Sequence, residues 1–406
     1  MNEYFLVIIG GGASGLASAV TACSMGVKKI VILERLPRVG KKILATGNGR
    51  CNLSHENISP ENYFGSYDTS HVLAHFGKAE NFFENLGLYC RTDEQGRIYP
   101  YSMTANSVLD ALRIYSNQVT EICNTRAVKL YQKNNKWHIL TENQEHIIAK
   151  NIIFSAGGTV ASKFGTDGTA WDMLKQLQIP ITESKPILCP VYANKNIFQI
   201  LKGIRVKGSV KLLEKNKILR TETGEIQFTE QTISGICIFN LASLLINKNL
   251  DNYQISINLF PELEISELIA RLYSCQAVRF NLDCEHMLSG LIQKAIARAI
   301  LKEIKILPTM PCCQLTGLQI QQIAEILQDF RFSVLGTVQA QAQACSGGVH
   351  GNALDENLQV KNHSGLFITG EAVDVHADCG GYQLHWAWAS GYMAGKHCAE
   401  MRKMIL

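Results

Sequence analysis

The N-terminal segment carries the pattern that constrains this chain most: three glycines, Gly10, Gly12 and Gly15, between two apolar stretches. Residues 4–9 indicate a strand, and residues 16–22 indicate the helix that follows the glycines. Each glycine meets a steric demand, because the first allows a tight turn, the second lets the backbone approach a diphosphate, and the third lets helix pack on strand. The pattern predicts a dinucleotide site with the diphosphate at the helix N-terminus, where unpaired N–H groups and the helix dipole favour negative charge.

Glu34 closes a second apolar run, residues 29–33, about twenty residues after Gly15. At this distance the second strand ends beside the first, and a carboxylate can accept hydrogen bonds from both ribose hydroxyls. An acid here disfavours a 2′-phosphate, so we expect FAD or NAD rather than NADP. Because strand, glycines, helix and acid all fit, we favour nucleotide binding over a purely structural βαβ unit.

The first half of the chain continues with an α/β pattern. A helix is expected over residues 70–86. Alternating residues in 127–132 and 137–141, joined by a polar turn, predict an antiparallel hairpin. Residues 150–155 indicate a buried strand that ends in the small residues 156–158, which allow the backbone to approach a cofactor closely.

The predicted secondary-structure pattern changes twice along the chain, which predicts three segments. Residues 1–190 have an α/β pattern, and residues 191–343 mix short strands with helices. Residues 344–406 return to a glycine-rich α/β pattern, with a terminal helix over 387–400. We expect the first and last segments to form one FAD-binding domain, and the middle segment to be an inserted β-rich and helical domain that caps its ligand.

Two further loops are rich in glycine. Residues 41–52 carry two glycines flanked by amides, one arginine and two lysines, which can surround a flat polar ring system or a phosphate with donors. Residues 370–374 and 378–384 follow a strand end and lead into a helix, so their backbone N–H groups converge where an anion or a polarised carbonyl can bind. We therefore expect both loops at the cofactor rather than in solvent.

Composition excludes several classes of protein. With 46% hydrophobic residues among 406, the chain can fill two or three domains. Its 39 basic and 35 acidic residues are dispersed and leave a net charge of +4, so we expect a small-molecule substrate and no nucleic-acid partner. No apolar run approaches the roughly twenty residues that cross a bilayer, so no membrane partner is expected. The 13 cysteines show no C-x-x-C spacing and are expected to be reduced thiols in a cytoplasmic protein.

Residues 46–52, with the sequence TGNGRCN, form the most specific motif of the chain. Through this motif and along nearly its whole length, the chain resembles the bacterial NAD(P)/FAD-dependent oxidoreductases, a family of aminoacetone-oxidase-like and bile-acid 3-dehydro-Δ4,6-reductase-like flavoproteins. The resemblance implies an α/β fold with a Rossmann-like FAD-binding domain of the glutathione-reductase type. It also implies that a β-barrel-like domain with a small helical insert interrupts this domain.

The same resemblance implies which residues bind FAD. The glycine turn would hold the diphosphate, Glu34 the adenosine ribose, and the Val128 backbone the adenine. The loop at 42–52 would lie along the diphosphate, the ribityl chain and the ring, and the N–H groups at 381–384 would face the pyrimidine ring, where negative charge grows on reduction. The residues implied are Gly10, Gly12, Ala13, Ser14, Gly15, Glu34, Lys42, Thr46, Gly49, Arg50, Cys51, Asn52, Val128, Ala156, Gly157, Gly158, Gly370, Glu371, Asp374, Gly381, Tyr382, Gln383 and Leu384.

Three positions depart from the pattern of the family. Glu230 stands where histidine is usual, Ile236 where proline is usual, and Gln383 where asparagine is usual. The motifs for FAD are retained, whereas the residues on the substrate side differ. We therefore carry over the cofactor from the resemblance, but not a particular substrate.

No catalytic triad is expected, because a flavin performs the redox step itself and needs orientation and electrostatics from the protein. Candidates for a catalytic side chain are Cys51, Tyr382 and His376, each with a packing role as the alternative. His71 and His75 lie four residues apart on a predicted helix. They lack the neighbouring acid of the zinc-protease pattern, so no metal site is expected.

No second Gly-x-Gly-x-x-Gly pattern follows a strand elsewhere, so a separate nicotinamide domain is not expected. The sequence predicts an FAD-dependent oxidoreductase that NAD(P)H reduces while docked transiently, and that passes electrons to a small, unsaturated organic acceptor. One alternative is an amine or aminoketone oxidase that uses oxygen. Another is a flavin-bound regulatory protein without turnover. The oligomeric state stays open.

Overall fold

The structure is a computed structural model that describes residues 2–116, 118–194, 196–246 and 248–403. The chain divides into two units. The first combines the residues up to Pro186 with those from Gln343 onward, and the second is Ile187–Ala342. The first unit is therefore built from two distant parts of the sequence, and the second unit is an insertion between them.

The described residues before the insertion form eleven strands and five α-helices. In chain order these are β1 (Asn2–Ile9), α1 (Ala13–Ser24), β2 (Ile30–Leu33), β3 (Ser54–His55), β4 (Tyr63–Gly65), α2 (Ser70–Phe76), α3 (Ala79–Glu84), β5 (Cys90–Thr92), β6 (Arg97–Pro100), α4 (Ala105–Tyr115), β7 (Thr120–Ile122), β8 (Ala127–Lys133), β9 (Lys136–Thr141), β10 (His146–Phe154), α5 (Trp171–Gln176) and β11 (Ile181–Ile187).

The described residues of the second unit and of the C-terminal part form the remaining elements. In the second unit these are β12 (Val191–Asn194), α6 (Phe198–Leu201), β13 (Arg205–Glu214), β14 (Lys217–Phe228), β15 (Thr232–Ser234), α7 (Ile236–Ser243), β16 (Tyr253–Asn258), α8 (Ile265–Val278), α9 (Cys284–Leu288), α10 (Lys294–Glu303), α11 (Gly317–Gln328) and β17 (Phe330–Thr337). The C-terminal part contains β18 (Ala344–Val349), β19 (Leu366–Ile368), β20 (Val375–Ala377) and α12 (Tyr382–Lys403). None of the helices in the described ranges combines the length and the apolar character that a membrane crossing requires.

A seven-stranded sheet organises the first unit. Strands β7, β2, β1, β10 and β19 are parallel neighbours in that order. The antiparallel hairpin of β9 and β8 continues the sheet beside the first half of β10. Because the parallel strands point the same way, the turns that follow β1, β2, β10 and β19 all lie at one edge of the sheet.

Both faces of this sheet are buried. Along β1, Leu6 and Ile8 belong to one apolar cluster together with Leu16 of α1. The alternating residues Val7 and Ile9 belong to a second cluster on the other face. Burial on both sides explains why the strand is a continuous apolar run rather than an alternating one.

The terminal helix α12 packs against α1 through small residues. A Cβ added to Gly391 would lie 2.3 Å from the backbone oxygen of Ser14, and one added to Gly395 would lie 2.6 Å from that of Ser18. The two helices therefore approach backbone to backbone. Their contact holds the C-terminal glycine-rich segment of the chain against the N-terminal one.

The second unit is a closed antiparallel barrel with helices. Its strands follow the order β12, β15, β14, β13, β16 and β17, and β17 pairs with β12 to close the ring. Val210, Leu212, Ile255 and Ile257 are fully buried in one apolar core that also includes residues of α8 to α11. These observations confirm the predicted fold class, a Rossmann-like α/β domain interrupted by a barrel with a helical insert.

The predicted hairpin is confirmed as β8 and β9. Its turn contains Asn134 and Asn135 with φ values of 53° and 57°. Two successive positive φ angles are typical of the tight turns that join antiparallel strands, and asparagine tolerates them better than most residues.

Two helix predictions need correction. The single helix expected over 70–86 is two helices, because Gly77 adopts a φ of +69° and ends α2. The terminal helix begins at Tyr382, well before the predicted start at 387. The first turn of α12 therefore belongs to the glycine-rich segment that was expected to be a loop.

Candidate nucleotide site

The three glycines of the N-terminal turn meet different surroundings. Gly10 has a φ of +102°, and a Cβ there would lie 2.5 Å from the backbone oxygen of Ser155. A Cβ on Gly15 would lie 2.0 Å from the backbone oxygen of Gly10, so packing requires glycine at both positions. A Cβ on Gly12 would meet no described protein atom within 4 Å. Gly12 therefore borders open space, as the approach of a diphosphate requires.

Helix α1 begins directly after Gly12, at the carboxyl end of β1. No side chain caps its start in the described structure, and its first turn holds no acidic residue. The first N–H groups of a helix have no partner within the helix, and the helix dipole adds partial positive charge there. This end of α1 can therefore hold a phosphate group.

Glu34, at the end of β2, is 8% exposed. Its Oε2 accepts a hydrogen bond from the Gly11 N–H at 2.9 Å, and its Oε1 accepts one from the Leu36 N–H at 2.8 Å. Burial raises the pKa of this carboxyl, while the two backbone hydrogen bonds oppose the rise. The side chain thus fastens the end of β2 to the glycine turn, and each oxygen has a second lone pair for a ribose hydroxyl.

Arg35 and Asp167 form a contact that the sequence analysis missed. The Arg35 guanidinium donates to Oδ1 of Asp167 at 2.8 Å and to the backbone oxygen of Gly165 at 3.3 Å. This ion pair lowers the pKa of the Asp167 carboxyl. The ion pair brings the loop after β10 to the end of β2. The sequence signal that could have indicated this contact is the pair of glycines, Gly165 and Gly168, on either side of Asp167.

The motif at 46–52 is an irregular turn with unusual backbone angles. Gly47, Asn48, Gly49 and Cys51 have φ values of 55°, 55°, 83° and 57°. Cys51 is fully buried, and burial raises the pKa of its thiol to about 12. The thiol is therefore protonated near neutral pH, which disfavours Cys51 as a nucleophile or proton acceptor.

Lys42 and Glu371 join the two glycine-rich loops. Nζ of Lys42 lies 2.6 Å from Oε2 of Glu371, and the two side chains are 26% and 13% exposed. The other oxygen of Glu371, Oε1, is buried and has no hydrogen-bond partner in the described structure. The pair holds the loop before the TGNGRCN motif next to the turn that follows β19.

Gly370 lies beside the start of α1. A Cβ there would be 2.7 Å from Oγ of Ser14, and the φ of Gly370 is +62°. Its N–H donates to Oγ of Ser390 at 3.0 Å, and its backbone oxygen accepts from Nε1 of Trp386 at 3.1 Å. Two side chains of α12 therefore fix the turn after β19 against the N-terminal turn.

The small residues after β10 lie in the same region. Gly157 has a φ of +76°, and its backbone oxygen accepts from Nε1 of Trp171 at 2.9 Å. A Cβ on Gly158 would be 2.2 Å from Sγ of Cys345 and 3.4 Å from Cβ of Glu371. The segment 156–158 is thus packed against the turn that carries Glu371, as a convergence of the three loops requires.

Asp374 and Val128 are two further residues that were predicted to bind the cofactor. Asp374 is 5% exposed, and its Oδ2 accepts from the Thr182 hydroxyl at 2.8 Å. Val128 is 40% exposed and lies where the register of the hairpin shifts, between the paired residues Ala127 and Lys129. A register shift leaves backbone groups outside the regular ladder, which agrees with a backbone contact to a ligand.

The start of α12 presents two amide side chains. Oε1 of Gln383 accepts from the Ala377 N–H at 2.9 Å, so its Nε2 faces the other way and is a donor. Oδ1 of Asn52 lies 2.9 Å from the place where a Cβ on Gly381 would stand. Gly381 has a φ of +111°, which an L side chain rarely adopts. The Gly381 turn therefore lies beside one hydrogen-bond donor, Nε2 of Gln383, and one acceptor, Oδ1 of Asn52.

Six buried side-chain atoms have no hydrogen-bond partner in the described structure. They are Asn52 Oδ1, Thr369 Oγ1, Glu371 Oε1, His376 Nδ1, Gln383 Nε2 and His385 Nε2. Leaving a buried polar group unpaired costs ~1–3 kcal/mol, so the unpaired atoms on the glycine-rich loops, those of Asn52, Glu371 and Gln383, indicate a polar ligand. The donor and the acceptor near Gly381 fit the edge of a flavin ring, which carries both N–H and C=O groups.

The other two catalytic candidates differ in their surroundings. The ring of Tyr382 stacks on the ring of His55, with centroids 4.8 Å apart and planes at 18°. His376 lies on β20, its ring is 5.6 Å from that of Phe64, and its Nδ1 has no hydrogen-bond partner among the residues that the structure describes. Burial lowers the pKa of His376, and the nearby Asp374 and Asp378 carboxylates oppose this shift. His376 is thus the candidate with a free ring nitrogen.

His71 and His75, the two histidines of α2, lie beside each other on the helix. Nδ1 of His75 lies 2.9 Å from the backbone oxygen of His71, and the two ring centroids are 4.1 Å apart. In the described part of the chain, no group of three or more histidine, cysteine, aspartate or glutamate residues has the placement to hold a metal ion.

The sequence of this chain has relatives over nearly its full length. A 3-dehydro-bile acid delta(4,6)-reductase from Clostridium scindens is 32% identical over 410 aligned residues, which are 97% of this chain and 98% of that protein. Two ribosomal RNA dihydrouridine synthases, from Haemophilus influenzae and Escherichia coli, are 23% and 22% identical. These two alignments cover 95% and 97% of this chain, and 96% and 97% of the relatives.

Comparison with solved structures supports the fold. A variant of Escherichia coli quinol fumarate reductase FrdA aligns with 100% of this chain and 72% of its own, with a TM-score of 0.52 and 14% identity. At this identity the likeness shows the shared fold alone. A family model described as HI0933-like protein Rossmann domain matches residues 4–397. The chain therefore belongs to the HI0933-like family.

Proposed function

We propose that this protein is a reductase that takes electrons from NAD(P)H and passes them, at bound FAD, to a small unsaturated organic molecule. The observation that carries the proposal is the pair of unpaired amide groups on Asn52 and Gln383 beside the Gly381 turn. Their arrangement complements a flavin ring edge in a region where three glycine-rich loops converge.

Different residues of the first unit are proposed to bind different parts of FAD. The start of α1 and the open side of Gly12 hold the diphosphate, while Glu34 accepts from the adenosine ribose. Lys42 and Glu371 border the central part of the cofactor, and Asn52 binds the ring edge. The remaining predicted contacts are those of Ala13, Ser14, Thr46, Gly49, Arg50, Cys51, Val128, Ala156, Gly157, Gly158, Gly370, Asp374, Gly381, Tyr382, Gln383 and Leu384.

Bound FAD supplies a carrier of two electrons between a nicotinamide and a second substrate. The residues of the chain contribute position and charge. The N-terminal turn of α12, which begins at Tyr382, has backbone N–H groups and the positive end of the helix dipole, and by its resemblance to the family it would face the pyrimidine side of bound FAD. This field would stabilise negative charge on a bound flavin, and the fold fixes it in place before any reaction.

The names of the relatives support an unsaturated acceptor. The Clostridium scindens enzyme is named for reduction at the delta(4,6) positions of a 3-dehydro-bile acid, and the two synthases for forming dihydrouridine in ribosomal RNA. Both names describe the saturation of a carbon–carbon double bond. The higher identity to the first, together with a net charge of only +4, favours a small molecule over RNA.

NAD(P)H is proposed to dock only transiently. The described part of the second unit forms an antiparallel barrel with helices rather than a second parallel α/β fold. A nicotinamide nucleotide held in its own domain requires such a second fold.

The experiment that tests this function is anaerobic reoxidation. The FAD-loaded protein is reduced chemically without oxygen and mixed separately with a 3-oxo-Δ4 steroid, a simple enone, a uridine-containing RNA oligonucleotide and oxygenated buffer. We expect the flavin absorbance to return at least about tenfold faster with one of the two enones than with the other additions. Reoxidation by oxygen alone indicates an oxidase, and reoxidation by the RNA alone indicates an RNA-modifying enzyme, and either result overturns the proposal.

A further inference from the structure

His385 is a fully buried histidine in the first turn of α12, with 1% of its surface exposed. Its Nδ1 lies 2.8 Å from Oγ of Ser54, and its backbone N–H donates to the backbone oxygen of Gly381 at 2.9 Å. Its Nε2 has no hydrogen-bond partner in the described structure. The ring edge meets the ring of Phe76, with centroids 5.2 Å apart and planes at 77°. His385 is not among the residues proposed to contact FAD.

Burial lowers the pKa of His385 to about 4, so the imidazole is neutral near pH 7. A neutral imidazole has one N–H donor and one bare nitrogen. Its hydrogen bond with the Ser54 hydroxyl is therefore an ordinary neutral bond between two buried groups. The contact therefore links the two segments as a neutral hydrogen bond, without an ion pair or a proton transfer.

Ser54 is itself part of the cofactor region. A Cβ on Gly381 would lie 2.3 Å from the backbone oxygen of Ser54 and 2.9 Å from Oδ1 of Asn52. The preceding backbone oxygen, that of Leu53, accepts from Nε1 of Trp388 at 3.1 Å. The segment 52–54 is therefore fastened to the start of α12 by backbone packing and by two side chains of that helix.

We infer that His385 is a positioning residue for FAD, because its hydrogen bond to Ser54 sets the spacing between Asn52 and the Gly381 turn. Asn52 Oδ1 and Gln383 Nε2 must bind opposite kinds of group on one ring edge, so their separation decides how well both bonds form. A loose segment 52–54 weakens both bonds at once. This inference rests on the proposed function, in which these two amides bind the ring.

The test is a double-mutant cycle on the FAD affinity of the full-length protein. The variants are Ser54→Ala, His385→Leu and the two combined, and FAD dissociation constants are measured from the change in flavin fluorescence. We expect each single variant to bind FAD about tenfold more weakly. The combined variant is expected to bind no more weakly than the weaker single variant, because both changes remove the same contact.

Two further variants separate positioning from folding. His385→Asn places an amide near the position of Nδ1 and is expected to restore FAD affinity to within about threefold of the wild type. His397→Asn changes another histidine of α12, whose ring lies 5.8 Å from that of Phe367, and is expected to leave the affinity unchanged. The absorption spectrum of bound flavin is expected to shift in His385→Leu and not in His397→Asn.

The inference is overturned if Ser54→Ala and His385→Leu bind FAD as tightly as the wild type, or if their effects multiply in the combined variant. It is also overturned if the loss of FAD affinity only follows a loss of apoprotein melting temperature, with an unchanged flavin spectrum. A wild-type protein that binds no FAD contradicts the proposed function instead, so the two failures are distinguishable.

Discussion

The Nζ of Lys42 and the Oε2 of Glu371 lie 2.6 Å apart, although 329 positions separate them in the sequence. The pair connects the loop after β2 to the turn after β19, which come from the two parts of the first unit. Because Glu371 is only 13% exposed, its carboxylate depends on this lysine for compensation of its charge.

Breaking this ion pair is expected to weaken FAD binding. Lys42→Met leaves the Glu371 carboxylate partly buried without its cation, and we expect FAD affinity to fall about tenfold, or ~1.4 kcal/mol. Titration of the apoprotein with FAD measures the effect. The matched control is Lys136→Met, which removes a similar but exposed ion pair with Glu3, whose side chains are 46% and 57% exposed. An equal loss in both variants argues against a role at the cofactor.

Two glycine substitutions are expected to separate binding from folding. Gly12→Ala adds a Cβ that meets no described protein atom within 4 Å, and the φ of −82° suits alanine, so the apoprotein folds normally. The same methyl group occupies the space that the diphosphate needs, so FAD affinity is expected to fall by about 100-fold or more.

The comparison variant is Gly15→Ala, whose Cβ would lie 2.0 Å from the backbone oxygen of Gly10. This clash is expected to destabilise the apoprotein by ~1–3 kcal/mol, measured by urea denaturation. The reverse pattern, a destabilised Gly12→Ala that still binds FAD tightly, contradicts the assignment of the turn.

Cys51 is expected to be inert. With a thiol pKa of about 12 and full burial, it should resist iodoacetamide in the native holoprotein, while the exposed Cys313 is alkylated first. Mass spectrometry of peptides after a time course reads out both sites. Cys51→Ala is expected to keep the rate of flavin reduction within about threefold of the wild type. A large loss of rate with FAD still bound indicates a catalytic thiol.

His385 is expected to make stability depend on pH in a defined window. Its folded pKa of about 4 lies below the ordinary value of 6.5, so the unfolded chain takes up its proton first as the pH falls. Stability from the neutral imidazole is complete above pH 6.5 and is lost as the pH falls through 4, by about 3 kcal/mol. In urea denaturation with saturating FAD, the advantage of the wild type over His385→Asn should shrink by this amount between pH 7 and pH 4. A constant difference excludes the effect.

The glycine turn was predictable because its geometry depends on residues that are close in sequence. Gly10, Gly15 and the strand and helix around them satisfy local steric rules, and Glu34 follows at the spacing that a βαβ unit sets. The barrel was implied by resemblance rather than by periodicity, and its closure by β12 and β17 depends on pairing between distant strands.

Contacts between distant segments could not be predicted from local pattern. The pairs Arg35–Asp167 and Ser54–His385 each join residues more than a hundred positions apart. The local sequence around these residues does not indicate which partner each one contacts. The break at Gly77 was missed because a glycine within an amphipathic stretch is compatible with both a continuous and an interrupted helix. Tertiary packing decides these features.

The proposed function requires that NAD(P)H reduces FAD held in the first unit. The most direct test is anaerobic stopped-flow absorbance of the FAD-loaded protein at the oxidised-flavin band, after mixing with NADH and, separately, with NADPH. We expect rapid bleaching with at least one nucleotide, and a smaller absorbance change in Gly12→Ala, which retains less FAD. If neither nucleotide bleaches the flavin-loaded wild type, NAD(P)H is not its reductant and the proposed function is wrong.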